Sequence, residues 1–308
     1  MNILVTGGAG FIGSHIVDKY IELGHNVTVI DNLSTGVLSN VNPKAKFYQM
    51  DINDSRIEDI VLNGQFDIIN HHAAQINVRI SVSNPIFDAI TNIIGGLRLY
   101  ESAVKARVKK IIFASSGGTV YGEQKYFPAD ENHPLEPCSP YGISKLTNEL
   151  YLNFYKTVYG IDFVALRYTN VYGPRQNPHG EAGVVAIFAS KMLKGEQPII
   201  NGDGTATRDY VFVGDVVRAN VLALDEKVSG AFNISTCVET DVNTIFHMLK
   251  KILRSDVKEV HGPPKAGELQ RSCLSYDKFN KLTGWKPEIS LEKGLEITVD
   301  FFRNMLSL

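Results

Sequence analysis

Short apolar runs alternate with longer amphipathic stretches along most of the chain. Residues 2–6, rich in Val and Ile, read as a buried strand. Residues 11–23 then place Ile12, Ile16, Tyr20 and Leu23 on one helical face and stop at Gly24, a residue suited to the left-handed C′ position. Residues 26–30, 46–52, 66–72 and 110–116 repeat the strand pattern. Between them lie a polar helix through Ile57, Ile60 and Val61 and a long helix from Pro85 to about Lys105. A charged, proline-rich stretch from 123 to 140 reads as a surface loop, and residues 141–159, closed by Gly160, read as another helix. Strand and helix in this order build a parallel sheet through right-handed crossovers, with ligands at the carboxyl ends of the strands.

The first connection carries the strongest signal. Gly7-Gly8-Ala9-Gly10-Phe11-Ile12-Gly13 joins strand to helix. Helix N-termini attract a pyrophosphate, and backbone approaches it closely only where no Cβ intervenes. Gly7 makes the turn, Gly10 faces the phosphates and Gly13 lets the helix pack on the strand. The second strand delivers Asp31 twenty-one residues after Gly10, where a ribose offers two hydroxyls to one carboxylate. A 2′-phosphate there meets like charge with no arginine in residues 31–36, which favours NAD over NADP. Asp51 and Ile52 end the third strand, and Ala73, Ala74 and Gln75 follow the fourth, where small residues leave room for a flat cofactor.

After Pro174, residues 183–194 read as a helix closed by Gly195, 197–201 as a short strand, and 243 onward as helices separated by a Pro263-Pro264 loop. Residues 209–213 and 231–234 read as strands returning to the first unit, with Asp215 capping the helix between them. The expected fold is α/β: a Rossmann-type doubly wound parallel sheet (1–173 plus 209–235) with a smaller, discontinuous α/β substrate-binding lobe (174–208 plus 236–308). Phe154, Tyr155, Phe301 and Phe302 read as core or interface residues. Net charge of −2 over 308 residues gives no footprint for nucleic acid or an anionic membrane. Cys138, Cys237 and Cys273 have no C-x-x-C spacing and read as free thiols. A strand beginning at residue 2 and the lack of a long apolar run point to a cytoplasmic protein.

Two side-chain pairs bear on chemistry. His71 and His72 invite a metal reading, but successive strand residues point to opposite faces, so no metal is expected. Tyr141 and Lys145, four apart, share a helical face after a strand that ends in Ser115 and Ser116. In most helices such a pair is packing beside a surface amine. In this position it is an acid–base pair, because a phenol of pKa near ~10 is ionised more readily beside an ammonium and a pyridinium. A shift of about three units is worth ~4 kcal/mol. Tyr141 then takes a proton from a sugar hydroxyl while the same carbon is oxidised.

Residues 6–13, Asp31-Asn32-Leu33, Val120-Tyr121-Gly122, residues 139–145 and residues 167–174 resemble the extended short-chain dehydrogenase/reductase family and, within it, the UDP-hexose 4-epimerases. The later Asn201-Gly202-Asp203-Gly204, Arg208-Asp209-Tyr210-Val211, Gly267-Glu268 and Leu282-Thr283-Gly284-Trp285-Lys286-Pro287 agree, so the similarity spans nearly the whole chain. The resemblance implies bound NAD, a UDP-sugar substrate inverted at C4 through a 4-keto sugar, and a homodimer joined through the helices after Pro85 and Tyr141. The apolar residues of those helices could equally be intrachain core. It makes Tyr141 and Lys145 catalytic, with a Ser or Thr beside them. Counting from Phe113 gives Ser116, while counting back from Val120 gives Gly117. Ser116 is chosen because the strand fixes its height, with Ser115 as fallback. Beyond the residues above, the resemblance assigns Phe11, Ile12, Asn32, Gly36, Asn92, Ser115, Tyr141, Lys145 and Tyr168 to the cofactor. To the substrate it assigns Ser116, Tyr141, Asn170, Val184, Asn201, Arg208, Lys265, Glu268 and Ser272. Lys265 stands where relatives often carry arginine, with Arg271 as a compensating candidate, and the small Ser272 occupies a gate near the sugar C2 substituent.

Three rivals remain. A 4,6-dehydratase needs an Asp-Glu pair after the catalytic hydroxyl, where this chain has Gly117-Gly118. A UDP-glucuronate epimerase or decarboxylase needs a cation for the C6 carboxylate, which sequence does not place. A disabled NAD-binding module conflicts with the intact Tyr141, Lys145 and Asn92.

Overall fold

A computed structural model describes residues 1–179, 183–264 and 269–306. Lys265, Gly267 and Glu268 lie outside the described residues. The first unit runs β1 (Asn2–Thr6), α1 (Phe11–Glu22), β2 (Asn26–Asp31), β3 (Lys46–Gln49), α2 (Ile57–Gly64) and β4 (Ile68–His71). Then come α3 (Val78–Ser83), α4 (Pro85–Ala89), a π-helical turn (Ile90–Ile94), α5 (Gly95–Lys105), β5 (Lys110–Ser116), α6 (Gly117–Val120) and α7 (Pro140–Tyr159). The helix expected from Pro85 to Lys105 is thus interrupted by a wider turn.

β6 (Asp162–Tyr168), not singled out in the sequence, follows α7, and β10 (Gly230–Ile234) completes a seven-stranded parallel sheet ordered β10-β6-β5-β4-β1-β2-β3. The order reverses between β1 and β4, and such a switch point opens a crevice at the carboxyl ends of the strands. Period-two alternation sends Ile3 and Val5 into one core, with Ile16, Val17 and Val216, and Leu4 into another, with Leu99, Ile111 and Leu152. Burying each such side chain contributes roughly 1.5–3 kcal/mol.

The rest is β7 (Asn170–Tyr172), α8 (Val184–Leu193), β8 (Ile200–Asn201), β9 (Thr207–Phe212), α9 (Val213–Leu222), β11 (Glu239–Asp241), α10 (Val242–Leu253), β12 (His261–Gly262), α11 (Asp277–Thr283) and α12 (Leu291–Met305). Helices α8, α10 and α12 enclose a third core around Phe188, Phe246, Leu295 and Phe302. Two expectations are corrected. The strand expected at 209–213 does not join the main sheet, because β9 pairs with β7 and, antiparallel, with β11. Asp215 does not cap α9, whose N-cap is Phe212; it sits within the first turn, where its buried carboxylate accepts from the backbone N–H groups of Glu288 and Ile289 at 3.1 and 3.2 Å. All three cysteines are free, and the thiols of Cys237 and Cys273, distant in sequence, lie within hydrogen-bonding reach of each other.

Candidate active site

The glycine turn is built by close approach. Gly7 has φ +71°, and a Cβ there would lie 2.6 Å from the Ala73 nitrogen, so β1 meets the loop after β4 with no space between them. A Cβ on Gly13 would fall 2.2 Å from the Gly7 oxygen. Gly13 therefore closes on the turn, whereas the close helix–strand packing falls to Gly8, whose Cβ would meet Val29 and Val17 at 2.8 and 3.1 Å. Gly10 is the N-cap of α1 without a side chain to occupy it. First-turn N–H groups such as those of Phe11 and Ile12 have no partner within a helix and are left for a ligand. At the end of β2, Asp31 accepts from Ala9 N–H at 3.0 Å and Leu33 N–H at 2.8 Å, which fixes its carboxylate beside the turn. A side chain on Gly36 would press to 2.8 Å from Asp31 Oδ1. Asn32 donates to Asp51 at 2.7 Å, and Ile52 is buried against Gly95. A glycine turn too tight for side chains, ending at a helix N-terminus and followed twenty-one residues after Gly10 by a carboxylate, fits a dinucleotide.

The loop after β4 forms the adjoining wall. Ala73 N–H donates to Thr6 Oγ1 at 3.2 Å, and Ala74 is half-buried. Asn92 grips Gln75 from both sides, accepting from its N–H at 2.8 Å and donating to its carbonyl at 2.9 Å. Asn92 sits in the π turn, where widening of the helix aims a side chain inward; such turns recur at functional sites. Behind it lies Asp88, fully buried and missed in the sequence, where a single carboxylate in a mostly apolar helix resembles an ordinary exposed residue. Its spacing of four from Asn92 was the available signal.

Tyr141 is the second residue of α7, which starts with Ser139 accepting from Gly142 N–H at 3.1 Å and Pro140 at the first position. Ser116, ending β5, lies close enough to the Tyr141 phenol to act on its ionisation. Its neighbour Ser115 points the other way and donates to Glu149 at 2.5 Å. Gly117 has no side chain to carry the hydroxyl, and a Cβ there would press on Leu274 Cδ1 at 2.3 Å. Lys145 Nζ donates to the Ala114 carbonyl at 2.7 Å and lies 5.6 Å from the centre of the Tyr141 ring. Burial pushes Lys145 down to about 8, partly offset by Asp88 and Glu149. Burial and Asp88 push the Tyr141 phenol up, and Ser116 only partly offsets them. The lowering expected from the lysine is thus not supplied by the chain alone. His71 and His72 are pushed down to about 3, chiefly by burial and also by Lys145. His71 Nδ1 pairs with Thr6 Oγ1 at 2.7 Å, and His72 Nε2 with the Tyr168 hydroxyl at 3.2 Å. Tyr168 also accepts from Asn220, so its hydroxyl is engaged within the core. Among the described residues no group of side chains is arranged to hold a metal ion.

The opposite wall is looser. Asn170 begins β7 beside Tyr210, Val184 begins α8, and Asn201 is exposed at the end of the two-residue β8. Asn201 lines a cavity of about 680 Å³ with Asp203, His261, Pro264 and Gln270. Arg208 on β9 donates to the Thr207 carbonyl at 2.7 Å, and Ser272 is buried. Arg271, the candidate to compensate for Lys265, is held by Glu239 through contacts of 2.9–3.3 Å and stacks on Phe127. A larger cavity, about 760 Å³, opens around Asn2, Asn26 and Lys46 at the amino ends of β1 to β3, far from this chemistry.

Comparison with known proteins adds an independent line. Residues 3–235 match the model of the NAD-dependent epimerase/dehydratase family. A putative UDP-glucose 4-epimerase of Methanocaldococcus jannaschii is 49% identical over 302 residues, 98% of each chain. The crystal structure of UDP-glucose 4-epimerase with UDP-glucose from Thermotoga maritima superposes with a TM-score of 0.98 at 52% identity, covering 99% of this chain and 100% of that one. The complex of Thermus thermophilus UDP-glucose 4-epimerase with NAD gives 0.94 at 42% identity, covering 98% and 99%.

Proposed function

The chain belongs to the NAD-dependent epimerase/dehydratase family, and from that premise we propose that it interconverts UDP-galactose and UDP-glucose by inversion at C4. The observation that carries this reading is the convergence of Tyr141 with Ser116, at the carboxyl end of β5, and with Lys145, whose Nζ lies 5.6 Å from the centre of the phenol ring. The Gly7–Gly13 turn and Asp31 hold the pyrophosphate and adenosine ribose of NAD, which when bound supplies a reversible two-electron oxidation of the sugar carbon. Tyr141 takes the O4 proton as C4 is oxidised and returns it after the sugar has turned over. Ser116 orients that hydroxyl between phenol and sugar. Lys145 holds positive charge near the phenol, and together with a bound oxidised nicotinamide it would supply the lowering that the chain alone does not. Asn170, Arg208 and Glu268 anchor the UDP, so the keto-sugar can swing about its diphosphate link.

Gly117 and Gly118 argue against a dehydratase, because residues without side chains cannot move the protons of an elimination. The small, buried Ser272 favours a second reading, that the N-acetylated UDP-hexoses enter too. Dimerisation of this chain is proposed through α4, the π turn and α7, whose Ile86, Phe87, Ile90, Leu150 and Phe154 remain exposed instead of filling the core. Incubation of the purified protein with UDP-galactose and no added cofactor tests the function. UDP-glucose as sole product supports it, and a keto-deoxy or pentose product overturns it.

A further inference from the structure

The acid–base reading leaves one buried charge at the site without a role. Asp88 Oδ1 accepts from Gln75 Nε2 at 2.8 Å and Asn92 Nδ2 at 3.0 Å, and Oδ2 accepts from Ser144 Oγ at 2.6 Å. These donors belong to three segments: the loop after β4, the π turn and α7 between Tyr141 and Lys145. Asn148 adds a second tie between the last two, donating to the Asn92 carbonyl at 3.0 Å and the Ser144 carbonyl at 2.8 Å. A fully buried carboxylate is costly, and an asparagine would satisfy the same three partners, since a serine hydroxyl accepts as readily as it donates. The charge itself therefore calls for a counterpart.

Its counterpart is Lys145, which follows Ser144 on α7. The Ser144 hydroxyl donates to Asp88 at 2.6 Å where α4 packs on α7; the two charges make no direct contact, and Asp88 acts on Lys145 through its field. The other titratable groups facing Lys145 are Tyr141, neutral as a phenol, and Glu149, His71 and His72. Glu149 is committed to Arg167, whose Nη2 lies 2.6 Å from Oε2 and whose Nε donates to both oxygens, and it accepts from Ser115 as well. The histidines are pushed toward their neutral forms and supply no negative charge. Helix α3, which also packs on α4 and α7, brings only Arg79 as a charged group, and that side chain is exposed.

We propose that Asp88 is a positioning residue for the proton-handling pair: it fastens the Gln75 loop, the Asn92 turn and α7 into one frame and supplies the negative charge that keeps buried Lys145 an ammonium. The proposal rests on the acid–base reading of Tyr141 and Lys145 above. It has a defined sign. Removing the charge takes away a stabiliser of the ammonium, so Lys145 loses its proton at lower pH, and the alkaline fall of turnover moves to lower pH with it.

The test is the titration of Lys145 Nζ by heteronuclear NMR, alongside the pH profile of UDP-galactose turnover, in wild type, Asp88→Asn and Ser144→Ala. Asp88→Asn is expected to shift both the Nζ midpoint and the alkaline limb downward. Ser144→Ala, which loosens the frame but keeps the carboxylate, is expected to leave both in place. An unmoved midpoint in Asp88→Asn, or an equal shift in Ser144→Ala, overturns the proposal. If Asp88→Asn does not fold, Asp88→Ser is a second neutral replacement read the same way. A shifted midpoint in a protein whose wild type does not epimerise UDP-galactose would reject the proposed reaction and keep the Asp88–Lys145 coupling.

Discussion

The two walls of the crevice are made by opposite means. On the sheet side, backbone and buried polar groups leave little freedom: Gly7 and Gly13 touch neighbouring backbone, Asn92 grips both faces of the Gln75 peptide unit, and Lys145 is fastened to the Ala114 carbonyl. On the other side, Asn201 is exposed on a two-residue strand whose partner β12 is equally short. One wall is suited to fixing reacting atoms within a few tenths of an ångström, as acid–base chemistry demands. The other is suited to holding the nucleotide end of a ligand while its sugar changes orientation. In the proposed reaction precision and tolerance fall to different walls.

Changes on the rigid wall should strike turnover or cofactor retention, and changes on the tolerant wall should alter substrate choice. The largest effect is expected from Tyr141→Phe: a loss of ~10²–10⁴ in kcat for UDP-galactose with NAD still bound, measured by turnover assay and cofactor content. Next is Gly13→Ala, whose new Cβ would fall 2.2 Å from the Gly7 oxygen. Overpacking of this kind costs about 1–3 kcal/mol, so NAD affinity is expected to fall about tenfold or more in a binding titration. A smaller effect appears with pH. Because burial brings Lys145 to about 8, its ammonium is half lost at that pH and falls further as pH rises, so kcat should decline through that region. A kcat that stays flat there would remove Lys145 from the chemistry. The smallest effect is reserved for the other wall: Ser272→Tyr should reduce turnover of UDP-GlcNAc and UDP-GalNAc while leaving the plain hexoses within a few-fold. Equal losses on both sugar pairs would show that Ser272 only packs.

The same division explains what the sequence made legible. The Rossmann half announces itself because its strands and glycine turn depend on local pattern: Val5 and Ile30 sit in short apolar runs buried on both faces, and Gly7 sits where only a residue without a side chain fits. Less visible were features set by distant contacts. Nothing local to residues 85–105 specifies a π turn at Asn92, whose backbone carbonyl and side chain are engaged by Asn148 and Gln75. Asp88 reads as polar and therefore exposed until its three donors are assembled from separate segments. β9 carries the apolar run of a sheet strand, yet its pairing with β7 and β11 was decided by tertiary topology. Arg271 looked available for a phosphate until Glu239, thirty-two residues away, took its guanidinium.

The central claim is that the rigid wall removes and restores one hydrogen at C4 without letting it exchange with water. UDP-galactose deuterated at C4, incubated with the protein in ordinary water, tests this directly. The account predicts UDP-glucose that keeps its deuterium at C4; label lost to solvent, or transferred to another sugar carbon, would contradict it.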